Sequence, residues 1–98
     1  MNKKELIMEV AQGTRLSQKD VEKVLSYFCN TIATALARGE KVQLVGFGSF
    51  DVRERKARIA RNPRTGENVQ IAAVVVPVFN AGKALKERVN ETANRSDR

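Results

Sequence analysis

Residues 53–66, R-E-R-K-A-R-I-A-R-N-P-R-T-G, constrain this chain more than any other stretch. Six of the fourteen are basic (Arg53, Arg55, Lys56, Arg58, Arg61, Arg64), Glu54 is the one acid, and Ile59 is the one apolar side chain larger than alanine. Such a segment has almost nothing to bury. Strand-like sequence nevertheless flanks it on both sides, and Asn62-Pro63-Arg64-Thr65-Gly66 has the chemistry of a tight turn. These facts fit an extended two-stranded arm over residues 52–76, with a cationic outgoing strand and a proline at its tip. Isolated hairpins are marginal in water, so a partner must supply the arm's order, and a polyanion matches its charge.

The rest of the composition narrows that partner. The chain has 98 residues, enough for one small domain, with a net charge of +7 and a pI near 10.1. That balance points to nucleic acid or an anionic surface. No apolar run approaches the ~18 residues needed to span a membrane, and no continuous apolar segment follows the charged N-terminus as a secretory signal would require. Cys29 is the single cysteine and cannot form an internal disulfide, which fits a reducing cytosol. With no histidine and one thiol, the ordinary constellations for zinc or nucleophilic catalysis lack their parts. No catalytic residue, metal or cofactor is expected, and no enzyme activity.

The chain reads first as a helical hairpin. Asn2 with Glu5 three residues on has capping-box spacing, Leu6, Ile7, Val10 and Ala11 form a stripe, and Gly13 is the expected stop. A longer helix starts at Ser17 with a second capping pattern. Its stripe is Val21, Val24, Leu25, Phe28, Cys29, Ile32, Ala35 and Leu36, so Cys29 is expected to be packed, and Gly39 ends it. From Lys41 the period changes to two: Val42 and Leu44 alternate with polar residues, Gly46-Phe47-Gly48 permits a reversal anchored by the phenyl ring, and Phe50 and Val52 lead into the arm. After Gly66 alternation resumes through Ile71 and a β-branched run reaches Pro77, where pairing should stop or kink. A short third helix is expected over residues 82–89, opened by Asn80 or Ala81-Gly82, with Lys83 at its N-terminus as a phosphate site. Residues 90–98 read as a frayed polar tail.

This apolar set does not close on one chain. A homodimer sharing one core, drawn from Phe28, Leu44, Phe47, Phe50 and Phe79, would close it and present two arms about a two-fold axis.

The order of helix, helix, Gly46-Phe47-Gly48-Ser49-Phe50, basic arm, Arg61-Asn62-Pro63-Arg64-Thr65-Gly66, Val76-Pro77-Val78-Phe79 and Gly82-Lys83 resembles the bacterial HU and integration host factor family, closer to HU, over about residues 1–90. The resemblance implies an α+β fold: a helical hairpin, a three-stranded antiparallel sheet carrying a long β-ribbon arm, and a short C-terminal helix, in an intertwined homodimer. It implies that the arms wrap double-stranded DNA through the minor groove and that Pro63 wedges between base pairs. Arg53, Arg55, Arg58 and Arg61, with Asn62 and Arg64, would contact DNA from the arm, and Lys3, Lys83 and Lys86 from the body. Two departures stand out. The family often has proline near position 72 and a basic residue near 75, where this chain has Ala72 and Val75, and residues 68–82 carry no charge. Val75 is expected to face the duplex. The leading expectation is a nucleoid-associated, cytoplasmic DNA bender with little sequence specificity. The alternatives are a sequence-preferring bender like integration host factor, or a generic polyanion- or RNA-binding adaptor.

Overall fold

The computed structural model describes residues 1–96, in the order α1 (Lys3–Thr14), α2 (Gln18–Ala37), β1 (Val42–Leu44), β2 (Gly48–Arg55), β3 (Arg58–Arg61), β4 (Asn68–Ile71), β5 (Val74–Ala81) and α3 (Lys83–Ser96). This is the expected α+β class. The chain divides into two units, Met1–Ala35 and Leu36–Arg98, with the boundary inside α2.

In the first unit α1 begins with a complete capping box. Asn2 Oδ1 accepts from the Glu5 N–H at 2.9 Å, and the Asn2 N–H donates back to Glu5 Oε1 at 3.2 Å. Gly13 does not end this helix. The helix runs to Thr14, whose Oγ donates to the Val10 carbonyl at 2.7 Å and accepts from the Leu16 N–H at 3.3 Å. The left-handed position that terminates α1 falls on Arg15, at φ 62°. Ser17 then caps α2 by accepting from the Asp20 N–H at 3.1 Å.

The hairpin core is small: Ile7, Ala11 and Val21, with Leu25 packed against them. Leu6 and Val10, read as part of the same stripe, instead line an apolar groove of about 380 Å³ with Leu16, Val24, Leu25 and Phe28. Cys29, expected to be packed, is exposed. Length explains the exposure of Cys29. Twelve residues of α1 span about 18 Å and the twenty of α2 about 30 Å, so α1 cannot cover the stripe of α2 by itself.

In the second unit Gly39, at φ 78°, ends α2 as expected, its N–H donating to the Leu36 carbonyl at 2.9 Å. A turn links β1 to β2, closed by the Phe47 N–H on the Leu44 carbonyl at 3.0 Å, and Gly46 supplies its positive φ of 87°. Gly48 is needed for a different reason. It is buried, and a Cβ there would lie 2.6 Å from both the Asn80 carbonyl oxygen and Phe79 Cζ. The sheet has strand order β1-β2-β5, all antiparallel, with β2 and β5 paired from Gly48↔Ala81 to Arg55↔Val74.

Pairing does not stop at Pro77, which sits opposite Val52 within an unbroken strand. β5 is an edge strand, where a residue whose N–H would face outward donates nothing to the ladder, and proline is tolerated there. The third helix also differs from expectation. Asn80 and Ala81 belong to β5, so the helix opens after Gly82, and it continues past Val89 to Ser96. Residues 90–96 contain no glycine or proline, and Ala93 extends the Leu85–Val89 spacing by another turn. The tail expected to fray is therefore helical through Ser96; Asp97 and Arg98 lie outside the described residues.

Candidate nucleic-acid interface

The arm is built in two stretches. Its base is the outer half of the β2–β5 ladder, where Arg53, Glu54 and Arg55 lie opposite Val76, Val75 and Val74. Its outer part is a separate two-stranded sheet, β3–β4, running from Arg58↔Ile71 to Arg61↔Asn68. Lys56-Ala57 and Ala72-Ala73 fall between the two ladders. The ladder breaks at position 72 although this chain has alanine where the resemblance suggested proline.

Alternation along the strands sorts the cations. Arg53 and Arg55 share one face of the sheet with Val74 and Val76, while Glu54 and Val75 share the other. Val75 is 60% exposed. Val75 therefore lies on the face opposite that of Arg53 and Arg55, one step of register away from them. Arg58 and Arg61, three residues apart, point to opposite faces of the outer ribbon. Arg53, Arg55, Lys56, Arg58, Arg61 and Arg64 are all exposed, and among the described residues none of them joins an ion pair. Such a ribbon presents a positive field on both sides, because Glu54 and Glu67 offset only part of its charge.

The tip is ordered by its own hydrogen bonds. The Asn62 N–H donates to the Glu67 carbonyl at 2.8 Å, and the Gly66 N–H donates to the Asn62 carbonyl at 2.8 Å. Asn62 Oδ1 accepts from the Arg64 N–H at 2.9 Å, and Thr65 Oγ accepts from the Glu67 N–H at 3.3 Å. Arg61 Nε donates to the Gly66 carbonyl at 3.3 Å, and Gly66 has φ 75°. Pro63 is exposed at the apex, and Asn62 beside it is half-buried. Turn chemistry was legible in the sequence; the use of the Asn62 side chain inside the turn was not, because an asparagine next to a basic run reads equally well as a DNA contact.

The remaining site residues lie on the two units. Lys3 Nζ donates to Ser26 Oγ at 3.2 Å, leaving two ammonium protons for another acceptor. Lys83 opens α3, pairs loosely with Glu87 at 3.9 Å and is exposed, as is Lys86 one turn on. The Phe79 ring is central to an aromatic cluster, 4.9 Å from Phe50 and 5.5 Å from Phe47 between centroids. Phe28, Phe47 and Phe79 remain 44%, 47% and 42% exposed, so Phe47 anchors the turn by stacking on Phe79 and not by burial. Leu44 and Phe50 are half-buried. Among the described residues no group of histidine, cysteine, aspartate or glutamate could hold a metal, and no helix is long and apolar enough to cross a membrane.

Comparison with known proteins agrees with this geometry. Residues 1–90 match the family model described as bacterial DNA-binding protein. The DNA-binding protein HU of Lactococcus lactis is 58% identical over 88 residues, which are 90% of this chain and 97% of the relative. HU 1 of Bacillus subtilis is 54% identical over 89 residues, 91% of this chain and 97% of the relative. Among solved structures, Anabaena HU in a cocrystal with DNA superposes with a TM-score of 0.86 at 49% identity, covering 91% of this chain and 97% of that one. Thermotoga maritima HU gives 0.66 at 45% identity, covering 91% and 98%. The chain belongs to the bacterial DNA-binding protein family, among the HU proteins.

Proposed function

We propose that this protein is an architectural component of the bacterial nucleoid, in the cytoplasm, that binds double-stranded DNA through the minor groove and bends it with little regard to sequence. The observation that carries the reading is the exposed ribbon: cations on both faces, six basic residues against Glu54 and Glu67 with none of the six in an ion pair among the described residues, and Pro63 at the apex. A ribbon lying in a groove meets phosphates on both walls, which suits Arg58 and Arg61 on opposite faces. Arg53 and Arg55 at the base, Arg64 at the tip and Lys3, Lys83 and Lys86 on the body extend the contact along the duplex. Pro63 has an apolar ring and no N–H, so it can part a base step but cannot read one. Unstacking costs a few kcal/mol per step, a magnitude known for minor-groove benders as a class, this family included, and is offset by added contact along the bent duplex.

The working molecule is an intertwined homodimer, with residues 1–98 of each chain acting as one DNA-binding domain. The apolar groove of the hairpin and the half-exposed Phe47–Phe50–Phe79 cluster are the surfaces a second copy would cover. Sedimentation at micromolar protomer should find a dimer and no folded monomer; a well-folded monomer there refutes the shared core.

Pro63→Ala tests the wedge. It retains every charge and removes the rigid apolar tip, so bending of linear duplex, read by energy transfer between its ends, should fall more than affinity for already bent or nicked DNA. Equal bending by variant and parent would reduce Pro63 to a turn residue. Running RNA duplexes beside DNA separates this function from that of a generic polyanion adaptor.

A further inference from the structure

We propose that Asn62 is the positioning residue of the tip, and that its side-chain oxygen, engaged inside the protein, sets the direction in which Pro63 points. The inference rests on the wedge reading of Pro63 and deepens it. The bond from the Arg64 N–H to Asn62 Oδ1, at 2.9 Å, spans Pro63 and closes a ring that contains it. Its donor is a backbone N–H, so its partner is the amide oxygen and not the amide nitrogen. The same residue uses its backbone N–H toward Glu67 and its carbonyl toward Gly66, both at 2.8 Å. Asn62 thus joins three internal hydrogen bonds and is half-buried, while residues 63–70 around it are exposed.

Proline makes this arrangement necessary. It donates no hydrogen bond and fixes only its own φ, so its ring is aimed by its neighbours. The residue before proline is held to extended backbone, which leaves its side chain as the remaining means of tying the far side of the turn. Asparagine does this by imitating a backbone turn, and aspartate can do the same, whereas alanine cannot. A wedge held in direction before contact loses less freedom on insertion than a loose one.

Two roles for Asn62 predict opposite orders among substitutions. For a DNA contact through its amide group, Asn62→Asp must be worse than Asn62→Ala, since it loses the donor and adds a negative charge near phosphate. For a positioning oxygen, Asn62→Asp retains the acceptor and rescues what Asn62→Ala loses. The experiment measures amide exchange of Arg64 in the free protein and bending of a linear duplex by energy transfer, with thermal melts as a control on folding. Asn62→Ala should speed Arg64 exchange and lower the equilibrium constant for bent complex by roughly five-fold per tip, the size of one lost side chain–backbone hydrogen bond. Asn62→Asp should retain slow exchange and bend more than Asn62→Ala. Unchanged Arg64 exchange in Asn62→Ala, or less bending by Asn62→Asp than by Asn62→Ala, overturns the proposal. Pro63→Ala in parallel keeps the two readings apart: if it bends DNA like the parent, the wedge itself is wrong and this role falls with it.

Discussion

Gly48→Ala and Gly13→Ala add the same methyl group and should move stability in opposite directions. At Gly48 the new Cβ would stand 2.6 Å from Phe79 Cζ, 2.7 Å from Phe79 Cε1 and 2.6 Å from the Asn80 carbonyl oxygen, where ordinary contact begins at 3.4 Å. A flexible side-chain end could yield, but these neighbours cannot. The Phe79 ring is held between Phe47 and Phe50, and Asn80 is backbone of β5, opposite Ser49 in the ladder. The loss should reach the upper part of the overpacking range, ~3 kcal/mol. Reduced freedom of the unfolded chain returns up to ~1 kcal/mol. A net loss of about 2 kcal/mol lowers the melting temperature by roughly 8–16 °C in a domain of this size. At Gly13 a Cβ meets nothing within 4 Å and lies inside α1, so alanine should add about 0.5–1 kcal/mol. Calorimetric or circular-dichroism melts at one fixed protomer concentration measure both. A Gly48→Ala protein melting within about 2 °C of the parent would refute the packing argument, and a Gly13→Ala protein less stable than the parent would refute the assignment of Gly13 to the helix interior.

The charge layout gives a second test. Two arms and the body lysines should neutralise on the order of six to ten phosphates, so the log–log salt slope of DNA binding should be steeper than about −3 and vary little among unrelated duplexes. Val74→Arg joins the face of Arg53 and Arg55 and should steepen the dimer's slope by up to roughly 1.8, one new contact per protomer. Val75→Arg faces the other way, across from Glu54 in an exposed pair worth at most ~1 kcal/mol, and should leave the slope unchanged; equal steepening by both would refute the register argument. Finally, Arg15 is the one non-glycine residue with positive φ among those described, at 62°. Arg15→Gly relieves a left-handed conformation that costs ~1 kcal/mol or more in other residues, so the melting temperature should rise by a few degrees; a fall would show that the Arg15 side chain contributes more than its backbone costs.

Local chemistry was the legible part of this molecule. The capping box at Asn2 and Glu5, the Ser17 cap, the positive φ at Gly39, Gly46 and Gly66, the switch from helical to alternating period near Lys41, and the tip turn at Pro63 each depend on residues within about four positions of one another. Where sequence reading went astray, a short-range rule met competition from a neighbouring residue or from the layout of the sheet. Gly13 is a good stop, but the left-handed position that ends the helix falls on Arg15. Pro77 breaks a central strand, but β5 lies at an edge. The polar tail after Val89 lacked a packing signal, yet it also lacked a breaker, and the helix ran on.

By itself, then, the sequence determined that a cationic, nearly coreless ribbon would project from a small α+β body, because charge, turn residues and hydrophobic period are properties of neighbouring residues. Tertiary structure alone decided which side each ribbon residue would occupy, since a strand's faces alternate and a single step of register exchanges them. Val75 shares its face with Glu54 and not with Arg53 and Arg55 only because of that register. It also decided why Gly48 must be glycine, through a ring thirty-one positions away in the chain, and that Asn62 directs its side-chain oxygen inward across Pro63. Long-range contacts of this kind leave no periodicity and no local composition to read; they exist only once the strands have been brought together.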